Sequence, residues 1–269
     1  MSLLILNLFY NYLYMLKIII TILYIYFRSQ NDLTFTLEPY SLKKNDLLGI
    51  LFFCVSLIPN HSYSFIYCLI PLRNLFMNCI QKIIPYLKEN KLENELIRNI
   101  IAQSFIICCV LLFIYFDSNK VNQEYSSTNF TKTLEIIFII QSILFTIIGT
   151  LKRFDSKEET KKSFILLKLI FSILLGFSEE LQWREFFQNK TDIYLQALVW
   201  GLNHFVKGEG IESVFQSICC SATSTKCTRL LYFILATLYA YFVGLLENNN
   251  IKYASHISIE WLVIDNLIK

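Results

Sequence analysis

The chain has 269 residues, 55% of them hydrophobic and 17% charged, with a formal net charge of +3 and a mean hydropathy of +0.47. Soluble domains carry charge on roughly a quarter of their residues, so this composition argues against a water-soluble domain. The small positive excess forms no basic stripe, which argues against a nucleic-acid partner.

Glycine and proline number only 7 and 4, too few for a loop-rich β protein. A helix satisfies its own backbone hydrogen bonds in lipid. The expected fold class is therefore all-α, a polytopic transmembrane helical bundle of about eight helices at ~20 residues per span, with the bilayer as its first partner. Leu3 to Phe27 reads as a retained first helix, too long for a signal-peptide core. Lys17 inside it must face protein or snorkel. Leu47 to Ile70 is broken at Pro59-Asn60-His61-Ser62 and is either one kinked span or two short ones. Asn74 to Leu87 is mixed and reads as an interfacial or partial helix. Clearer spans follow at Ile97–Phe116 and Leu134–Leu151. The last four are Ser163 to about Phe186, Thr191–Val206, Arg229–Leu246 and Ile251–Ile268. Asp117–Lys132 and Lys207–Lys226 read as loops. The organisation expected is a scaffold over 1–150 and a catalytic core over 151–269.

Charge placement gives an orientation. The loops on the side of the termini hold Arg73, Lys82, Lys88, Lys91, Arg98, the group from Lys152 to Lys162, Lys207, Lys226, Arg229 and Lys269. The opposite loops hold half as many cations, so the positive-inside rule puts both termini in the cytoplasm. Sequons at Asn129 and Asn189 then fall on the far side. Of the 8 cysteines, Cys54, Cys68, Cys108 and Cys109 sit in apolar runs as small hydrophobes. Cys219, Cys220 and Cys227 lack the CxxC spacing of a metal or disulfide framework.

Three polar groups interrupt the last spans. Glu179 and Glu180 precede Arg184, four residues beyond the second glutamate. Trp200 and His204 are four apart, as are His256 and Glu260. Residues at i and i+4 share a helix face, and a charge in the middle of a span costs ~2.5–3.5 kcal/mol or more on insertion scales. That cost falls if the faces converge on one hydrated cavity, which is the central expectation.

Ser178-Glu179-Glu180-Leu181-Gln182-Trp183-Arg184 resembles the Glu-Glu-x-x-x-Arg motif of the CPBP family, which includes type II CAAX prenyl proteases and bacteriocin-processing proteins. Trp200-Gly201-Leu202-Asn203-His204 resembles its Phe-x-x-x-His motif, and His256-Ile257-Ser258-Ile259-Glu260 its His-x-x-x-Asn/Asp motif. Gly244 matches a small residue of the penultimate span. The resemblance covers about residues 160–269. It implies an intramembrane endopeptidase that cleaves C-terminal CAAX tripeptides of prenylated proteins or a membrane-associated peptide. Its catalytic residues would be Glu179, Glu180, His204 and His256, with Arg184, Trp200 and Glu260 in support. Glu179 would be the general base, Arg184 the partner of Glu180, and the histidines would stabilise the oxyanion. Glu260 departs from the motif, because an ionised carboxylate cannot donate a hydrogen bond to an oxyanion.

Two mechanisms stay open. One is a zinc site on Glu179, His204 and His256 with an activated water; the other is a metal-free glutamate mechanism. The His-Glu-x-x-His string that marks many zinc proteases is missing. Ser178 lacks a nucleophile elbow. Trp183, Trp200 and Trp261 are candidates for a prenyl or acyl pocket, or for interfacial packing. A scaffold that has lost hydrolysis, and a transporter using the same charges as a relay, are the competing functions. The membrane would be the endoplasmic reticulum in a eukaryote and the plasma membrane in a bacterium.

Overall fold

The computed structural model describes residue 19 and residues 69–89, 91–116, 128–155, 162–189, 191–207 and 226–267. Among these the chain is helical throughout, with no strand. Leu3–Phe27 apart from Ile19, His61 and most of Leu47–Ile70 lie outside the described residues, as do Cys54, Cys68, Cys219 and Cys220.

Seven α-helices are described: α1 Leu69–Ile83, α2 Leu92–Phe116, α3 Asn129–Asp155, α4 Lys162–Glu180, α5 Ile193–Lys207, α6 Lys226–Gly244 and α7 Asn249–Leu267. Proline explains the first boundary. Pro85 cannot continue a helix, so α1 stops at Ile83 and a single 3-10 turn, Pro85–Lys88, follows. The expected partial helix from Asn74 thus begins earlier, at Leu69, and takes in the last residues of the Leu47–Ile70 stretch. Helix α2 begins five residues before the expected Ile97 because its first turn is held by side chains. Asn94 donates to the Tyr86 carbonyl at 2.9 Å, and Arg98 donates to the carbonyls of Leu87 at 2.5 Å and Glu89 at 3.2 Å. Thr128 caps α3 in reciprocal fashion. Its hydroxyl accepts from the Thr131 amide at 3.2 Å and its amide donates to the Thr131 hydroxyl at 3.0 Å, which offsets two of the free donors at a helix start. The expected Asp117–Lys132 loop therefore ends by Thr128, and Lys132 is helical. Asp192 caps α5 by accepting from the Leu195 amide at 2.8 Å.

Several cations counted as loop charges lie in helices, among them Arg73, Lys82, Arg98, Arg153 and Lys252. Arg73, Arg98 and Arg153 are also buried. The 150/151 boundary falls inside α3, which ends at Asp155 and packs along α7.

Helix α7 lies between α3 and α4, α4 packs on α2, α2 on α1, and α5 pairs with α6. Between α4 and α5 the chain forms a π-helical segment, Leu181–Gln188, which touches both α2 and α5. Trp183, Phe186 and Phe187 of this segment join Trp200, Val199, Ala236 and Ala240 in the main apolar cluster. Two glycines allow close helix approach. A Cβ on Gly176 would meet the Ile257 backbone nitrogen at 2.8 Å, and one on Gly201 would collide with Thr237. Small residues at such contacts are how helices approach closely where lipid supplies no hydrophobic drive.

Two helices, Leu92–Tyr115 and Asn129–Arg153, are long and apolar enough to cross a membrane. Among the described residues, α3 leaves Ile136, Ile137, Ile140, Ile143, Leu144 and Ile147 exposed.

Candidate functional site

The close contact at Gly176 sets the site. It brings the end of α4 against the middle of α7, so Glu179 and Glu180 arrive beside His256. The His256 ring is 2% exposed and reads both of its nitrogens into carboxylates. Nδ1 lies 2.6 Å from Glu180 Oε1, a short contact in which an ionised carboxylate accepts from the ring N–H. Nε2 lies 3.3 Å from Glu179 Oε2 and 3.5 Å from Glu260 Oε1.

Glu180 is the anchor of this arrangement. Its side chain is 1% exposed and its Oε1 also sits 3.3 Å from Arg184 Nη1. Arg184 belongs to the π-helical segment, and its guanidinium lies 5.1 Å from the Trp200 ring centroid. Trp200 stands edge-on to His256, with ring centroids 6.0 Å apart, and Tyr239 packs at 6.4 Å from the same ring. Lys252, one turn before His256, is close enough to Glu180 and Glu185 to feel their charge. Glu179 differs from its neighbour in being partly exposed, at 21% of its side chain. Of the paired glutamates, it is the one whose side chain reaches the surface.

Charge counting shows why this cluster is chemically unusual. Glu179, Glu180 and Glu260 bring three negative charges against Arg184, one imidazole and the more distant Lys252. Two carboxylates facing the Nε2 lone pair of a neutral imidazole repel it. A proton on that nitrogen, or a cation between the three groups, removes the conflict. One ligand atom each from Glu179, His256 and Glu260 lie within 4.8 Å of one another, so all three can reach a single cation. Among the described residues, this donor set adds Glu260 to Glu179 and His256. His204 lies in α5, but its side chain is outside the described part of the structure.

The remaining expectations divide. Gly244 ends α6, where Gln188 Nε2 donates to its carbonyl at 3.0 Å and a Cβ would approach Gln188 Oε1 at 2.9 Å. Ser178 is fully buried and its hydroxyl donates to Gln103 Oε1 at 2.7 Å, which fits a structural role. Of the tryptophans, Trp200 borders the site and Trp183 packs on Phe187 at 5.5 Å. Trp261 belongs elsewhere. Its indole N–H donates to Thr150 at 3.1 Å and Arg153 stacks on its ring at 3.8 Å, so it seals the α3–α7 contact. The Asn129 sequon has its Thr131 buried and bonded into the helix cap. Cys79 and Cys108 are exposed and Cys109 half-buried, all as free thiols.

Sequence reasoning missed the second polar layer. Gln141 of α3 accepts from Ser255 Oγ at 2.6 Å and donates to Ser258 Oγ at 3.0 Å. The Tyr239 hydroxyl lies 2.9 Å from Ser255 Oγ and completes the chain. The available signal was the lone glutamine in the centre of each long apolar helix. An unpaired amide in hydrocarbon costs several kcal/mol, so each glutamine required a partner. No family model, curated protein or solved structure matches the chain, so the CPBP resemblance rests on the three motifs.

Proposed function

We propose that this chain is an integral membrane hydrolase, an intramembrane endopeptidase of CPBP-like type acting on C-terminal CAAX tripeptides of prenylated proteins or on a membrane-associated peptide. The observation that carries this reading is the approach of Glu179 and Glu260 to one nitrogen of a buried His256 whose other nitrogen is held by Glu180. A buried charge cluster of this kind is costly in a membrane protein, and such residues are functional by default.

In the metal-free form, Glu179 takes a proton from water while the water oxygen bonds to the carbonyl carbon of the scissile peptide. The carbonyl π electrons move to oxygen, and the oxyanion meets His256, which donates from Nε2 when the ring carries both protons. The C–N bond then breaks and Glu179 returns its proton to the leaving amine. Glu180 and Arg184 keep the imidazole in register and touch no reacting atom. In the zinc form, Glu179, His256 and Glu260 would hold the ion, and the Nδ1–Glu180 bond is the outer-shell contact that orients a metal-bound histidine. Zinc would supply Lewis-acid polarisation and a more acidic bound water.

The test is cleavage of a prenylated CAAX peptide by the purified protein in nanodiscs, followed by mass spectrometry. Wild type cleaves, Glu179→Ala does not, and removal of metal by a chelator separates the two forms. Full activity in Glu179→Ala would overturn the mechanism. A non-catalytic membrane scaffold is the second reading, and Glu260 favours it, since a glutamate stands where the family motif has Asn or Asp. Under that reading Glu260→Asn gains hydrolysis that the wild type lacks.

A further inference from the structure

The two longest apolar helices share a feature that the site itself does not require. Gln103 stands at the centre of Leu92–Tyr115 and Gln141 at the centre of Asn129–Arg153. At 1.5 Å per residue, each amide is about 17 Å from either end of its helix. Each glutamine bonds to a serine that is the sequence neighbour of a site residue. Gln103 accepts from Ser178, next to Glu179, and Gln141 accepts from Ser255, next to His256.

We propose that Gln103 and Gln141 are positioning residues that lock α4 and α7 at the one depth where Glu179 and His256 meet. The inference rests on the hydrolase reading and deepens it.

The physics is that of a register pin. Apolar helices slide past one another in lipid with little change in buried area, because lipid tails are as apolar as leucine. A primary amide breaks that degeneracy. Moved one turn along α4, the Gln103 amide oxygen would face Leu174 or Gln182 instead of the Ser178 hydroxyl and would lose the bond it accepts at this register. The Ser178 Oγ also lies 3.0 Å from the Leu175 carbonyl of its own helix, a second acceptor for its single proton. Gln141 is stricter. It accepts from Ser255 and donates to Ser258, while Ser258 donates to the Ser255 carbonyl at 2.7 Å. Tyr239 bridges from α6 to the same Ser255 and packs on the His256 ring. Three helices are thereby tied at the residue before the catalytic histidine. Displacement of reacting groups by about 1 Å is enough to cost on the order of 100-fold in rate, so a pin at this point acts on kcat.

The experiment compares Gln103→Met, Gln141→Met, Ser178→Ala and Ser255→Ala, with both Gln/Ser double variants, in the full chain in nanodiscs. Ser142→Ala is the control, because the Ser142 hydroxyl donates to the Phe138 carbonyl and its own carbonyl accepts from Thr146, both within α3. The expected result is a fall in kcat of about tenfold or more for each glutamine variant, KM within about twofold, and doubles no worse than the worse single. A readout independent of hydrolysis accompanies it: the ring ¹⁵N signals of His256, assigned by their loss in His256→Gln. Gln141→Met shifts these signals and Ser142→Ala leaves them in place. Lowered melting temperature with unchanged kcat per folded molecule and unshifted His256 signals would overturn the proposal. If the wild type cleaves nothing, the hydrolase reading fails, and the His256 signals still decide whether the glutamines position the ring.

Discussion

Helix α7 carries two buried charge clusters one turn apart, and they are built on opposite principles. Around His256 and Glu260, three carboxylates face one arginine and one imidazole. Around Trp261 and Asp265 the balance reverses. Asp265 lies 3.2 Å from Arg153 and 2.5 Å from Lys168, while Arg153 also donates to the carbonyls of Trp261 and Gly149 and stacks on the Trp261 ring. Among the described residues, the second cluster sets two cations against one carboxylate, and Arg153 turns two of its nitrogens to backbone oxygen. It has the form of a structural clamp between α3, α4 and α7. The first leaves negative charge at a partly exposed Glu179, and so it can take a proton or a cation. Buried charged side chains do not by themselves mark a site; the sign of the imbalance and the access to it do.

Substitutions break or sharpen this contrast in order of size. Glu179→Ala is expected to reduce hydrolysis by about 100- to 10,000-fold, the usual worth of a general base, with the helical circular dichroism signal unchanged. Gly176→Val forces a side chain into the Ile257 backbone and separates the two helices on which the site depends. It should lower stability by about 1–3 kcal/mol and abolish cleavage together, measured by thermal unfolding and peptide turnover. Arg153→Met should show the opposite profile. It removes a buried cation and its two carbonyl bonds, costing about 3 kcal/mol in unfolding experiments, while turnover per folded molecule stays within about twofold. Asp265→Asn weakens the same clamp at a group that is 36% exposed, and about 1 kcal/mol or less is expected. The smallest effect belongs to Lys91→Ala. Its 2.6 Å pair with Glu89 is fully at the surface, and neither melting temperature nor turnover should move.

The helices were legible because apolar runs of this length have few other solutions, and six of the expected spans or part-spans overlap described helices within a few residues. The boundaries were less so. Asn94 and Arg98 extend α2 by bonding to carbonyls of the preceding turn, a contact that no local hydrophobicity pattern records. The π-helical segment is likewise invisible in the spacing, since Glu180 and Arg184 at i and i+4 read as ordinary α-helix, yet the segment is what turns Arg184 toward Trp200. Trp261 stood open between a prenyl or acyl pocket and packing. It follows Glu260 by one residue, a rotation of about 100°, and its ring packs against α3.

What the sequence alone determined is local: an all-helical chain, with Glu180/Arg184 and His256/Glu260 each on one helical face. Those facts follow from covalent spacing and a period of about 3.6 residues. Tertiary structure alone decided which nitrogen of His256 meets Glu180, that Glu260 joins Glu179 on the other, and that Gln103 and Gln141 hold the serines beside them. Register between helices is a non-local quantity. It is set where Gly176 permits contact and where buried amides find partners, and no spacing within a single helix encodes either.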